Sequence, residues 1–122
     1  MTIQECYRTL GGSFEEVAGR IPGTDMIRRF LAKFPDDKSF SALSDAMRAG
    51  QPEQAFRAAH TLKGVSANLS FTRLHTSVEK LTELLRHRTQ VMPEGADALF
   101  EEVARDHELT VDTIRTYLES AE

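Results

Sequence analysis

The residues best suited to chemistry in this sequence are His60, Lys63 and Gly64, which follow one another closely along the chain. A histidine has a pKa of about 6.5, so at neutral pH one imidazole nitrogen is a free nucleophile. Lys63 stands three positions after His60, and on a helix this spacing makes the two side chains neighbours. An ammonium group there disfavours protonation of the ring and favours an anionic group bonded to it. The pair predicts a histidine that accepts a group such as phosphoryl, whose oxygens Lys63 would hold.

The predicted helix around His60 places this histidine opposite the core. At about 100° per residue, one side of the helix collects the apolar residues Ala55, Ala58, Leu62, Val65 and Leu69. His60 lies almost diametrically opposite. On the side of His60, Gly64 lowers helix stability by about 1 kcal/mol relative to alanine. Gly64 and Ala67 add little side-chain bulk to this surface, and Phe56 presents an aromatic ring. The pattern predicts an outward-facing histidine in a shallow, partly apolar patch that a second protein could approach closely.

Four residues around His60 are candidate contacts with a partner protein: Phe56, Arg57, Ala67 and Asn68. A solvated helix face explains Arg57 and Asn68 nearly as well. For Phe56 the alternative is burial by the N-terminal helices.

The next helix supplies candidates to orient the imidazole. The chain reverses after Leu69, and counting equal distances from that turn places residues 79–83 beside His60. A group there that accepts a proton from the second ring nitrogen would fix the tautomer. The candidates are Glu79, Thr82 and Glu83.

Apolar residues at helical spacing and residues typical of helix ends occur along the whole sequence. No alternating apolar and polar run predicts a strand. Three short helical segments come first, at residues 3–10, 14–19 and 25–34, the last two capped by Ser13 and Thr24. Four longer segments follow, at 38–49, 52–69, 71–89 and 93–118, with Asp37 as a cap and Pro52 and Pro93 at first helical positions.

The short connections between the longer helices predict antiparallel neighbours. We therefore expect an all-α fold: an antiparallel up-down four-helix bundle over residues 37–120, with short additional N-terminal helices over residues 1–36 that cap it, in a single domain, 1–122. The third helix of the bundle carries a narrow apolar seam at Leu74, Val78, Leu81 and Leu85. The seam of the last helix is Ala96, Phe100, Val103, His107, Val111, Ile114 and Leu118.

Composition excludes several classes of protein. The 122 residues include 15 Lys and Arg against 19 Asp and Glu, a net charge of −4, whereas nucleic-acid binders carry a basic excess. Cys6 is the single cysteine, so no internal disulfide can form. No apolar run approaches the roughly 20 residues of a membrane span, and the first residues lack a signal-peptide pattern. We expect a cytoplasmic monomer with no nucleic-acid or membrane partner.

A metal site is the distant alternative among the chemical interpretations. His75, Glu79, Glu83 and His87 recur every four residues along one helix, and metal sites in bundles use such spacings. These sites need ligands from facing helices, and no other helix offers a Glu-x-x-His pair. These four His and Glu residues are therefore interpreted as a polar strip beside the apolar seam of the same helix. His107 is interpreted as a residue at the edge of the core. No metal ligand is predicted.

The segment Ala59-His60-Thr61-Leu62-Lys63-Gly64 resembles the histidine-containing phosphotransfer (HPt) domain family. The resemblance covers roughly residues 27–119. It continues through Ser66, Ala67, Asn68-Leu69, Arg73-Leu74 and Glu79. Phe56 to Gly64 is also similar to the phosphoacceptor domain of chemotaxis histidine kinases.

The resemblance implies that His60 is the phosphoacceptor and that Lys63 is its electrostatic partner. It also implies that Gly64, which has no side chain, leaves room for a receiver domain. His60 would take a phosphoryl group from a receiver-domain aspartate and pass it to another receiver, so the implied partners are response-regulator receivers and a hybrid sensor histidine kinase. No cofactor is expected on this chain, since Mg²⁺ would be bound by the receiver. The protein would be a phosphocarrier and not an enzyme. The alternative is a helical adaptor that docks receivers without being phosphorylated.

One residue departs from the family pattern. The family usually has glycine after the Asn-Leu pair, where this chain has Ser70. A glycine there would end the helix in a left-handed conformation, whereas a serine can cap the following helix. We expect a changed turn and a retained activity.

Overall fold

The structure is a computed structural model of the chain, and it describes residues 1–86 and 90–120. Within these ranges the chain forms only helices and their connections. The helices are α1 (Ile3–Leu10), α2 (Phe14–Arg20), α3 (Thr24–Lys33), α4 (Ser39–Arg48), α5 (Pro52–Asn68), α6 (Thr72–Arg86) and α7 (Ala96–Glu119), with a 3-10 turn at Phe34–Asp36. The prediction of an all-α fold is confirmed.

Helices α4 to α7 form a four-helix bundle in which each helix packs against the next along the chain. Short connections reverse the chain between α4 and α5 and between α5 and α6, so these neighbours run antiparallel. The predicted seam of α6 is buried throughout, at Leu74, Val78, Leu81 and Leu85. Each such side chain gains about 1.5–3 kcal/mol from burial, so the seam holds α6 between α5 and α7.

The buried face of α7 is wider than the apolar seam that the sequence predicts. Phe100, His107 and Leu118 of that seam are only half-buried. Thr110, Thr113 and Tyr117, which lie outside it, are buried. The reason is that α7 packs against α1 and α3 as well as against the bundle. The Tyr117 hydroxyl accepts a hydrogen bond from Nε of Arg28 in α3, at 3.1 Å.

Four helices begin at other residues than the sequence predicts, α4 and α6 one residue later, at Ser39 and Thr72, and α3 and α7 with a different cap or first turn. Thr24 was expected to cap α3, but it is the first helical residue, and Gly23 before it caps without a side-chain hydrogen bond. Pro93 was expected to open α7, which instead begins at Ala96. Gly95 has a φ of +88°, a left-handed conformation that no α-helix interior allows, so the helix starts only after it.

Other predicted helix boundaries agree more closely with the structure. The Ser13 hydroxyl accepts a hydrogen bond from the backbone N–H of Glu16, as expected of a cap. Asp37, predicted to cap α4, lies one residue before the cap position, which Lys38 occupies without a side-chain cap bond. A carboxylate oxygen of Asp37 still accepts the backbone N–H of Ser39 at 2.9 Å. The predicted end of the third bundle helix, beyond Arg86, lies outside the described residues.

The N-terminal helices pack on the end of the bundle where α5 turns into α6. The Tyr7 hydroxyl donates to the carbonyl of Leu69 at 2.9 Å. The backbone N–H of Arg73 donates to the carbonyl of Gly11 at 2.9 Å. A Cβ on Gly12 would lie 2.5 Å from the Ser70 carbonyl oxygen, so only glycine allows this approach. The segment before α3 therefore anchors the turn between α5 and α6.

Cys6 belongs to this packing and not to a reactive site. Its side chain is fully buried on α1. Burial raises the pKa of the thiol to about 11. Because the thiolate is the reactive form, a thiol with this pKa is inert at neutral pH.

The turn between α5 and α6 depends on Ser70, whose φ of +57° is left-handed. The expectation that Ser70 changes the turn and caps the following helix is wrong. Its hydroxyl accepts a hydrogen bond from Arg20 at 2.6 Å, and its carbonyl accepts the backbone N–H of Ser13 at 3.0 Å. Left-handed backbone costs a non-glycine residue about 1–2 kcal/mol. The bonds from the N-terminal segment offset this cost, so the turn keeps the conformation that glycine would adopt.

Glycine and alanine substitutions at Ser70 measure the cost of the left-handed conformation. Both variants lose the hydroxyl that Arg20 binds, but only alanine keeps a Cβ. We expect Ser70→Gly to be more stable than Ser70→Ala by about 1 kcal/mol in urea denaturation. Ser41, exposed within α4, is the control, because in a right-handed helix alanine should be the more stable of the two. Equal stability of the two Ser70 variants would contradict the assignment.

His107 lies at the edge of the core, as its place in the sequence predicts. Its imidazole stacks on the ring of Phe40, with centroids 4.0 Å apart and planes 8° apart, and it contacts Phe34 at 5.7 Å. Burial lowers the pKa of His107, and the nearby charge of Asp37 opposes this shift only in part. The folded protein therefore favours the neutral imidazole.

We expect His107 to make the protein less stable at mildly acidic pH. In the unfolded chain His107 has a pKa of about 6.5. Above this pH the neutral imidazole adds its full share to the free energy of unfolding, and this share is lost as the pH falls below it. His107→Phe keeps a stacked ring but does not titrate. The free energy of unfolding of this variant, relative to the native protein, should therefore rise as the pH decreases. A difference that stays constant with pH would show that His107 titrates normally.

Candidate functional site

Helix α5 presents His60 to solvent on the side away from the core. Its opposite side is buried at Ala55, Ala58, Ala59, Leu62 and Ser66, and Val65, predicted on the core face, is half-buried. The helix lies between α4 and α6. Because small and apolar side chains fill that space, His60 on the far side is left exposed, as the helical pattern predicts.

Phe56 lies one turn before His60 and contacts its ring. The two ring centroids are 6.0 Å apart, and the planes are inclined by 24°. Phe56 is half-buried and packs against the core. The guanidinium carbon of Arg86 in α6 lies 5.4 Å from the centroid of the Phe56 ring. A side chain of α6 thus lies over Phe56, where the sequence suggested the N-terminal helices as the covering elements.

Lys63 and Gly64 occupy the next turn of the helix. Lys63 is half-buried and forms no ion pair within residues 1–86 and 90–120. A Cβ built on Gly64 would meet no atom of residues 1–86 or 90–120 within 4 Å. Ala67, a turn further on, is exposed. The missing side chain at Gly64 therefore serves no packing among the described residues, although a mid-helix glycine costs about 1 kcal/mol relative to alanine.

At the level of Phe56, the contact between α5 and α6 is made by Arg86. Counting four residues forward from Phe56 and four back from Arg86 leads to His60 and Thr82 at similar levels along the two antiparallel helices. The placement of residues 79–83 beside His60 agrees with this count and stays a prediction.

Thr82 does not orient the imidazole, in contrast to the prediction. It is completely buried, and its hydroxyl donates to the Val78 carbonyl at 2.7 Å. Thr82 follows Val78 by one helical turn, so it faces the core as Val78 does. Glu79 is exposed and forms no hydrogen bond with His60. Glu83 is bound by Arg86, whose Nη2 lies 2.7 Å from a carboxylate oxygen.

The remaining predicted contact residues flank His60 on α5. Arg57 is exposed and pairs with Glu53 at 3.2 Å. Asn68 is exposed at the last position of the helix. Beside Arg57 and Thr61, an open groove of about 970 Å³ runs between α4 and α5. The groove was not predicted, because its shape depends on how closely the two helices pack.

The contact of Arg86 with Phe56 was not predicted from the sequence either. The same count of distances from the turn that paired residues 79–83 with His60 would have paired Arg86 with Phe56. Glu83 and Arg86 are also three residues apart on a helix, a spacing that makes the two side chains neighbours and predicts their ion pair.

Within residues 1–86 and 90–120, no group of three or more His, Cys, Asp or Glu side chains is placed to hold a metal ion. His87 of the predicted polar strip lies outside the described residues, so its interpretation stays a prediction. No helix in the described part of the chain has the length and apolar character of a membrane span.

Comparison with known proteins identifies one family. A family model described as the Hpt domain matches residues 25–121. No curated protein gives a significant match, and no solved structure does.

Gly64→Ala tests whether the glycine serves the fold. Since a Cβ fits there without contact, we expect the free energy of unfolding to rise by about 0.5–1 kcal/mol. Gly12→Ala is the matched control and should destabilise, because its Cβ would press on the Ser70 carbonyl. Thermal and urea denaturation measure both. A loss of stability in Gly64→Ala would mean that the fold itself needs this glycine.

Proposed function

This chain belongs to the Hpt domain family, and we propose that it carries a phosphoryl group on His60 between receiver domains of a phosphorelay. Hpt domains serve histidine phosphotransfer in phosphorelays. The observation that most supports His60 as the acceptor is its position: exposed on α5, with Lys63 one turn later and no side chain on Gly64.

The proposed transfer exchanges one bond to phosphorus for another. The unprotonated nitrogen of His60 attacks the phosphorus of a receiver's aspartyl phosphate. The N–P bond forms as the P–O bond to the aspartate breaks, and the aspartate leaves as a carboxylate. The proton on the second ring nitrogen is then lost to solvent, which leaves a neutral ring bearing the phosphoryl group. The return step to another receiver reverses these changes.

Lys63 would stabilise the phosphorylated state. A phosphoryl group adds about 1.5–2 negative charges, and the ammonium group lies within reach of a group on the neighbouring ring. Because no ion pair in the described part of the chain engages Lys63, its charge is available for the phosphoryl oxygens. Gly64 would let the receiver approach the ring closely.

The docking surface would surround His60 on α5 and consist of Phe56, Arg57, Ala67 and Asn68. Gly64 and Ala67 keep this surface low, and Phe56 adds apolar area. The receiver would supply the aspartate and the Mg²⁺ that neutralises the transferring group. This chain would supply a positioned nucleophile and act as a phosphocarrier, with catalysis by the partner.

His60→Gln should abolish phosphorylation. We expect a receiver domain phosphorylated by acetyl phosphate with Mg²⁺ to transfer an acid-labile, base-stable label to the native protein and none to the variant. His75→Gln on α6 is the control and should be labelled normally. Label that persists in His60→Gln would remove His60 from this role. Receiver binding without any label on the native protein would favour the adaptor function.

Lys63→Ala should weaken phosphoryl retention more than receiver binding. We expect a shift of about 1–3 kcal/mol in the transfer equilibrium, the range of hydrogen bonds to charged groups. Lys80→Ala is the control, since Lys80 pairs with Glu102 on α7. The equilibrium is measured from the labelled fraction, and the receiver Kd by calorimetry with unphosphorylated receiver. Equal losses in both quantities would show that Lys63 acts in docking.

A further inference from the structure

We propose that Phe56 and Arg86 are positioning residues that hold the His60 imidazole for phosphoryl transfer. The inference rests on the proposed function, since it assigns residues that prepare the same histidine. Neither residue would touch the transferred group. They would act through the orientation of the ring.

In the described part of the chain, the imidazole of His60 makes one ring contact. This contact is with Phe56, whose centroid lies 6.0 Å away and whose plane is inclined by 24°. No hydrogen bond to either imidazole nitrogen comes from the described residues. An exposed side chain otherwise changes rotamer freely, so the stacking contact is what limits the orientation of the imidazole.

Arg86 fixes Phe56 from the neighbouring helix. Its guanidinium carbon lies 5.4 Å from the ring centroid, within the range of cation–π attraction. The guanidinium is itself held by Glu83: Nη2 and Nε lie 2.7 Å and 3.1 Å from the same carboxylate oxygen. Because a guanidinium is planar and rigid, two such bonds fix its direction. A line of contacts thus runs from Glu83 through Arg86 and Phe56 to His60.

This arrangement leaves the imidazole between two different neighbours on α5. Phe56 lies one turn before it and Lys63 one turn after it, so an aromatic ring limits its rotation on one side and a cation lies on the other. A nucleophile with a fixed direction loses less entropy when it attacks. The contacts from α6 therefore prepare a histidine that would otherwise be mobile.

Four variants test the positioning role. Phe56→Leu removes the aromatic stack and Phe56→Tyr keeps it. Arg86→Met removes the cation over the ring. Arg48→Met is the matched control, because Arg48 pairs with Asp45 on α4 with the same spacing and at 2.7 Å, as Arg86 pairs with Glu83. Circular dichroism would establish that all four remain folded.

The first measurement needs no phosphorylation. In NMR spectra of the unphosphorylated protein, the ring current of Phe56 should shift the imidazole protons of His60. We expect this shift to disappear in Phe56→Leu, to persist in Phe56→Tyr and to shrink in Arg86→Met. The control Arg48→Met should leave it unchanged. Identical His60 signals in Phe56→Leu and the native protein would overturn the proposal.

The second measurement separates positioning from docking. Under single turnover with saturating phosphorylated receiver, we expect Phe56→Leu to reduce the maximal rate roughly 10-fold and Arg86→Met a few-fold. Phe56→Tyr should stay within about 2-fold of the native rate. Because Phe56 also belongs to the proposed docking surface, the half-saturating receiver concentration can rise in Phe56→Leu, and only the maximal rate at saturation reports positioning. An effect confined to that concentration would assign Phe56 to docking and overturn the positioning role. If the native protein takes no phosphoryl group, the proposed function fails, while the NMR comparison still decides the positioning of the ring.

Discussion

Burial of one side of α5 between α4 and α6 is the constraint on which the site depends. Ala55, Ala59, Leu62 and Ser66 fill that space and are completely buried. Since a helix turns by about 100° per residue, fixing this side inward leaves His60 outward. The same packing prevents rotation of the helix, so the backbone beneath His60 is rigid.

The turn at Ser70 fixes the position of α6 relative to α5. It sets where α6 begins, and thereby which residue of α6 stands opposite each residue of α5. Arg20 and Ser13 from the N-terminal segment hold Ser70 in its left-handed conformation. Through this register, Arg86 at the far end of α6 reaches Phe56. The short N-terminal helices thus act on the site indirectly, by fixing the turn.

The sequence predicted the helices, the bundle and the outward face of α5 well, because these follow from periodic patterns and local signals. It failed where a contact across the chain decides the outcome. Ser70 was expected to cap a helix, but bonds from residues far away in sequence keep it left-handed. Thr82 was expected beside His60, but its side chain is completely buried, since a register argument says nothing of rotation about the helix axis.

By itself, the sequence determined that His60, the proposed acceptor, faces outward and which residues are its immediate neighbours on α5. His60, Lys63 and Gly64 belong to one helix, and helical geometry alone places them together. Only the tertiary structure decided what approaches His60 from α6. Whether Thr82, Glu79 or Arg86 contributes depends on the rotation and spacing of two packed helices, which many weak side-chain contacts determine together. The chain thus encodes the neighbourhood of His60 on α5 locally, and the packing of the bundle provides what surrounds it.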